Sequence, residues 1–89
     1  MTFKVGDRVI ISKEYHWAKG APGTIGEPPD IAVEIGREYS PWDGCHHFVQ
    51  GVKGPIEFHW VVFDEPHDDG SGDGPYREAE IETSMLKLL

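Results

Sequence analysis

The sequence predicts an all-β domain, and two features of the chain support that prediction. The 11 Gly and 7 Pro residues are spread along all 89 positions, so no window of about 12 residues keeps an unbroken amphipathic helical pattern. The apolar segments between them are short and rich in Val, Ile, Phe and Trp, which is typical of strands. We therefore expect a single domain, residues 1–89, of short strands joined by Gly/Pro turns.

The first two strands follow turn signals near the start of the chain. Gly6 and Asp7 are expected to form a turn before a strand at Arg8–Ser12, in which Val9 and one of the two following Ile residues point inward. A Pro-Gly pair leads into a second strand at Gly23–Glu27. Because glycine has no Cβ atom, Gly23 is expected to allow a close approach between backbones.

The clearest strand signal runs from Ile56 to Asp64, where successive side chains point to opposite faces. One face carries Ile56, Phe58, Trp60 and Val62. The other carries Glu57, His59, Val61 and Phe63. We assign the first, entirely apolar set to the core.

The end of the chain predicts how the sheet closes. A strand is expected at Tyr76–Glu82, one tight helical turn at Thr83–Leu86 and a last short strand at Lys87–Leu89. Short strands in this order favour a small SH3-like barrel, since closure removes open sheet edges. The middle, Glu27–Gly54, is a Pro/Gly-rich insertion, and its EPPD and SPWD segments are expected to constrain it to extended conformations.

Three segments of the chain resemble the C-terminal SH3-like domain of the nitrile hydratase β subunit. They are FKVGDRV at Phe3–Val9, YHWAKGAPGTI at Tyr15–Ile25, and FHWVVFDE at Phe58–Glu65, which is followed by an acidic loop and SMLKLL. The wider group, the electron transport accessory proteins, includes one of the small subunits of photosystem I and the variable chain of ferredoxin-thioredoxin reductase. The resemblance implies an SH3-like barrel and, as one alternative, an accessory subunit of a multi-chain metalloenzyme or redox enzyme.

The length and composition of the chain argue against an enzymatic function. In nitrile hydratase a cysteine cluster on the α subunit holds the metal, and this chain has one cysteine, so nitrile hydration by this chain alone is excluded. A chain of 89 residues is short for a walled active site, and it carries no Ser-His-Asp or Gly-rich phosphate signature. We therefore expect a binding module that is not an enzyme.

Charge and hydropathy bear on partners and location. The 16 acidic and 8 basic residues give a net charge of −8, which repels phosphate groups, so nucleic acid and membranes are not expected partners. No apolar run approaches the roughly 20 residues that span a bilayer. The start, MTFKVGD, lacks the apolar core of a signal peptide, so a cytoplasmic location is expected.

Aromatic residues predict a surface for a protein partner. Loops near the barrel ends carry Tyr15, Trp17, Tyr39 and Trp42. Such side chains offer large, rigid contact areas, and an acidic rim around them favours a partner with a basic surface. The alternative is that Trp17 and Trp42 simply cover the ends of the barrel.

A zinc site is an alternative function, at Cys45, His47 and His59. His59 would meet the other two across a hairpin around Gly51–Pro55. If paired residue numbers sum to about 106, His47 lies opposite His59, and if they sum to one more, His46 shares a face with His59 instead. The ordinary alternative is a partly buried cysteine beside surface histidines.

A calcium site is the other metal alternative. Asp69, Ser71, Asp73 and Glu80 occupy positions 1, 3, 5 and 12 of the twelve-residue calcium-loop pattern, with Gly74 at position 6. Ser71 and Arg77 reduce the negative charge of such a loop. The same residues are also typical of a solvated hairpin tip. Apart from calcium or zinc at these positions, no cofactor is expected.

Overall fold

The computed structural model describes residues 3–89, and within them the chain forms six strands, one α-helix and one turn of 3-10 helix. The strands are β1 (Arg8–Ile11), β2 (Pro22–Ile25), β3 (His46–Gly51), β4 (Gly54–His67), β5 (Tyr76–Glu82) and β6 (Leu86–Leu88). The helix α1 spans Asp30–Gly36, and the 3-10 turn spans Thr83–Met85. The prediction of a mostly β domain is confirmed, and the segments predicted as strands all form strands.

All strand pairs are antiparallel, and β4 lies at the centre of the sheet. Residues 58 and 59 of β4 pair with both β3 and β5, and residues 61 and 62 pair with both β2 and β5. Therefore β3 and β2 follow one another along one edge of β4, and β5 occupies the other edge. β1 pairs with β2 and with β6, and the 3-10 turn joins β5 to β6, so the sheet curls into a half-barrel.

The core lies inside this curled sheet. Val9, Ile25, Val61 and Ile81 are fully buried, each from a different strand, and Ile11 is buried beside Val9 on β1. The inward direction predicted for Val9 is confirmed, and Ile11 is the second inward residue of that strand. Burying these β-branched side chains stabilises the fold by roughly 1.5–3 kcal/mol for each.

The predicted core face of β4 is wrong. Val61 and Phe63, from the face expected to be outward, lie in the core, whereas Ile56 and Val62 are 38% and 39% exposed. The reason is that β4 carries apolar side chains on both faces, so alternation alone does not say which face the other strands cover.

Trp60 is also buried, but on the outer face of β4. Its ring packs edge-on against Trp42 with the ring centroids 5.7 Å apart, and its Nε1–H donates a hydrogen bond to Glu78 Oε1 at 2.7 Å. The insertion between β2 and β3, which contains Trp42, therefore covers this face and forms a second apolar layer outside the main core.

The helix α1 corrects the expectation of an extended insertion. Pro29 is extended, with φ −69° and ψ 162°, but the helix begins directly after it at Asp30. Asp30 in the first turn is favourable, because its negative charge lies at the positive end of the helix dipole. The helix has only seven residues, too few for periodicity to reveal it in the sequence. Among residues 3–89, no helix has the length and apolarity needed to cross a bilayer.

Gly23 lies where β2 and β4 come closest, as the sequence predicted. A Cβ atom at this position would lie 2.7 Å from both Val61 Cγ1 and the backbone oxygen of Val62. We expect Gly23→Ala to destabilise the protein by about 1–3 kcal/mol, because the strands must separate to admit the methyl group. Urea unfolding measures this change.

Gly36→Ala is the matched control for that substitution. The added Cβ atom would lie 3.6 Å from Trp42 Cδ1, which is an ordinary contact, and alanine favours helix. Equal stability losses in the Gly23 and Gly36 variants would contradict the close approach of β2 and β4.

Candidate functional site

The small residues of α1 face the sheet across a groove. Gly36 is buried and Ala32 is half-buried, and the two lie one helical turn apart. Both line the same groove as Trp42 and His47, with the outer face of β3 beneath. The smallest residues of α1 therefore face inward, towards Trp42 and this groove.

The large apolar side chains of this segment point to solvent. Ile31 is 70% exposed, Ile35 is 79% exposed and Tyr39 is 88% exposed. Ile31 and Ile35 are four residues apart and share one face of α1. The Ser40 N–H donates to the Gly36 carbonyl at 2.9 Å, which extends helical hydrogen bonding past the end of α1 towards Tyr39. We call these three residues the α1 apolar stripe.

Acidic residues border the α1 apolar stripe. Asp30, Glu34 and Glu38 are exposed in the same segment, and Arg37 is its one basic residue. Arg37 forms an ion pair with Glu34, with Nη1 3.1 Å from Oε1. The surface thus combines exposed apolar side chains with a negative border.

The other aromatic residues predicted to bind a partner lie deeper. Tyr15 is buried, and that burial raises the pKa of its hydroxyl group. Trp17 is half-buried, with its ring edge-on to Phe63 at 5.5 Å between centroids. Trp42 is half-buried and stacks on His47 at 3.7 Å. Trp17 therefore packs against the core and Trp42 against the outer face of the sheet, and Tyr39 is the exposed aromatic of the four.

Strand register brings a different set of histidines together from the one proposed for zinc. His46 lies opposite His59 and His47 lies opposite Phe58, so the paired numbers sum to 105. His46 therefore shares a face with His59, which was expected for a sum of 107, although the observed register differs from both of those considered. Glu57, two residues before His59, is on that face too.

These three side chains form what we call the His-Glu cluster: His46, Glu57 and His59. The Nδ1 atom of His46 lies 2.8 Å from Glu57 Oε2, and the two imidazole rings stack at 5.4 Å between centroids. One ring nitrogen of each histidine and one carboxylate oxygen all lie within 4.8 Å of one another. Among residues 3–89, these are the three potential metal-ligand residues that the fold brings this close together.

His59 is the buried member of the His-Glu cluster, with 0% of its surface exposed. Its Nδ1 atom lies 2.7 Å from Thr83 Oγ1, at the start of the 3-10 turn. Its Nε2 atom is buried and makes no hydrogen bond with any part of the chain that the structure describes. Burial lowers the pKa of His59, because the charged imidazolium loses hydration.

Cys45 and His47 are not gathered with His59 into a three-ligand site. The thiol of Cys45 lies 3.7 Å from the Phe3 carbonyl oxygen, and burial raises its pKa. His47 donates from Nδ1 to the Ser40 carbonyl at 2.7 Å, and its Nε2 atom lies 3.3 Å from Glu80 Oε1. Cys45, His47 and His59 therefore have different neighbours and do not form one zinc site.

The residues predicted to bind calcium also lie apart from one another. Glu80 lies on β5 near His47, whereas Asp69 and Ser71 lie in the loop before that strand. Asp69 Oδ1 accepts the Ser71 N–H at 2.9 Å, and Ser71 Oγ accepts the Asp73 N–H at 3.2 Å. Hydrogen bonds from the Ser71 side chain and backbone lower the pKa of Asp69. Within residues 3–89, Asp69, Asp73 and Glu80 do not bring their carboxylates to one point.

The residues of both surfaces that sequence reasoning missed had weak signals. Ile31 and Ile35 have helical spacing, but α1 is too short for that spacing to stand out. Glu57 has strand spacing with His59, which was among the predicted zinc ligands, and choosing His46 over His47 as their partner required the β3–β4 register.

The fold and these surfaces define a small, curled antiparallel-sheet protein with one outward-facing apolar helix. Comparison with protein-family models, with curated proteins and with solved structures finds no match for the chain.

Proposed function

We propose that this protein is a non-enzymatic interaction module that docks onto a protein partner through the α1 apolar stripe. The observation that carries the proposal is the orientation of α1, which packs with Ala32 and Gly36 inward and leaves Ile31 and Ile35 in solvent. A soluble helix ordinarily buries its largest apolar side chains. Here the exposed isoleucines are available to a second protein, in the manner of a helix that enters an apolar groove.

The charges favour one kind of partner. Asp30, Glu34 and Glu38 border the stripe, and the whole chain has a net charge of −8. A groove bordered by Lys and Arg would complement this pattern and would speed association. A second copy of this chain would bring like charges together, which opposes self-association through the same surface.

We propose further that the curled sheet is an SH3-like barrel. Strand pairing of β1 with both β2 and β6, and the 3-10 turn before β6, support an SH3-like barrel. That architecture agrees with the resemblance to the nitrile hydratase β subunit and with an accessory role in a multi-chain enzyme. Because one fold can have many functions, the docking surface is stronger support for the proposed function than the resemblance in fold.

The test is capture of partners by the tagged chain from its native cells, followed by crosslinking and mass spectrometry. We expect Ile35→Asp to reduce the amount of the crosslinked partner at least tenfold, because truncating a central apolar anchor costs about 2 kcal/mol or more. Binding should weaken as salt is raised, since the complementary charges are exposed.

Val52→Asp is the matched control, because Val52 is fully exposed at the tip of the β3–β4 hairpin and is not part of the α1 apolar stripe. Capture should be unchanged in this variant. Equal capture by the wild type and Ile35→Asp would refute docking through the stripe. A dimer in light scattering that Ile35→Asp dissociates would identify a second copy as the occupant instead.

A further inference from the structure

The His-Glu cluster has the donor chemistry of a transition-metal site. Imidazole nitrogen together with carboxylate oxygen suits zinc and its neighbours in the first transition row, and two histidines with one glutamate are a known zinc ligand set. Calcium and magnesium prefer oxygen ligands, so they fit this set poorly. The cluster comes from adjacent strands of one sheet, which fixes the spacing of its backbone positions.

The β3–β4 register explains why the cluster forms. Trp60 N–H donates to the Cys45 carbonyl, so His46 and His59 form the next, non-hydrogen-bonded pair of the antiparallel ladder. Side chains of such pairs are the closest across two strands. Glu57 follows on the same face of β4, and its carboxylate reaches His46 at 2.8 Å.

We propose that His46, Glu57 and His59 bind a divalent transition-metal ion of the zinc class. Zinc ligands about 2.0–2.2 Å from a tetrahedral ion lie roughly 3.3 Å apart. The three ligand atoms lie within 4.8 Å of one another, so small side-chain rotations bring them to that spacing. The ion would replace the proton in the hydrogen bond between His46 and Glu57.

Groups outside the cluster support the histidines as ligands. Metal-bound histidines commonly hydrogen bond through their other ring nitrogen, which fixes the ring orientation. Thr83 Oγ1 holds Nδ1 of His59, leaving Nε2 as the nitrogen without a hydrogen-bond partner in the described chain. Asp43 Oδ2 lies 3.7 Å from Nε2 of His46, which is beyond hydrogen-bond distance, so the orienting hydrogen bond is the one to His59.

Burial and access also fit an ion site. His59 is fully buried, and leaving its Nε2 atom without a hydrogen-bond partner destabilises the fold, a cost that coordination would remove. The side chains of His46 and Glu57 are each 22% exposed, so solvent reaches two of the three ligands. Three protein ligands leave the fourth tetrahedral position for water. This inference is independent of docking through the α1 apolar stripe, which lies on the insertion.

The experiment is titration of the chelator-treated full chain with zinc, followed by calorimetry, with magnesium and calcium as comparison ions. We expect one zinc per chain, a saturable rise in melting temperature, and no comparable response to the other two ions. Nitrogen NMR of the imidazoles should show zinc-dependent shifts at His46 and His59. This spectrum tests the wild-type protein directly and does not depend on a variant that folds.

His46→Gln and Glu57→Gln should each weaken zinc binding at least 100-fold. His16→Gln is the matched control, because His16 is exposed and lies outside the cluster. The zinc affinity of this variant should equal that of the wild type. Absence of one-to-one binding to the wild type, or zinc shifts confined to other histidines, would overturn the proposal. Unchanged affinity in a folded His46→Gln protein would overturn it as well.

Discussion

Phe63→Ala is expected to destabilise the protein by about 3–5 kcal/mol, through lost apolar contacts and the cavity left behind. Phe63 is 6% exposed, and its ring packs edge-on against Trp17 and His67 at 5.5 and 5.4 Å between centroids. A domain is stable by only about 5–15 kcal/mol, so the loss is a large part of the total. Urea unfolding measures it, and the melting temperature should fall by at least about 12 °C.

Phe48→Ala is the matched control for this prediction. Phe48 on β3 is 52% exposed, so the same substitution should cost less than about 1 kcal/mol. A smaller loss for Phe63→Ala than for Phe48→Ala would mean that the core lies on the opposite face of β4. The pair therefore tests the correction to the predicted core face with one residue type.

Trp60→Ala is expected to cost a similar amount, about 3–5 kcal/mol, but for a different reason. Its ring supports Trp42, and Trp42 in turn stacks on His47 beneath the insertion. Removing it should therefore loosen the insertion as well as lower the free energy of unfolding. Hydrogen exchange of α1 amides should rise in this variant, beyond the change that follows from global destabilisation.

Trp60→Phe separates packing from hydrogen bonding at this position. Phenylalanine keeps an aromatic ring against Trp42 but removes the Nε1–H donor to Glu78. This variant should lose only about 1–2 kcal/mol and should keep α1 protected from exchange. If both variants leave α1 protected, the outer aromatic layer does not hold the insertion.

Much of the fold could be predicted from the sequence, because local signals and tertiary structure agree in the strands. Gly6 has φ +97°, a conformation that glycine adopts readily, and β1 begins two residues later. The strand at Tyr76–Glu82 has the same bounds in the structure as in the prediction. These elements depend on turn residues and β-branched side chains, whose effects are local.

The candidate sites could be predicted only in part. The sequence marked the histidines near Cys45 and the one in β4 as a group, but choosing His46 over His47 required the strand register. A shift of one residue exchanges the two faces of a strand, so the register decides which side chains meet. The α1 apolar stripe depends on which face of a seven-residue helix the sheet covers, and Tyr39 alone was identified beforehand.

The sequence by itself determined the strand content, the turns, the close approach at Gly23 and the negative charge of the surface. Each depends on the conformational limits or ionisation of individual residues and their neighbours in the chain. Only the tertiary structure decided that Phe63 is inside, that Trp60 belongs to an outer layer, and that His46 meets His59. The physical reason is that both faces of β4 are apolar, and the contacts that distinguish them come from segments distant in sequence.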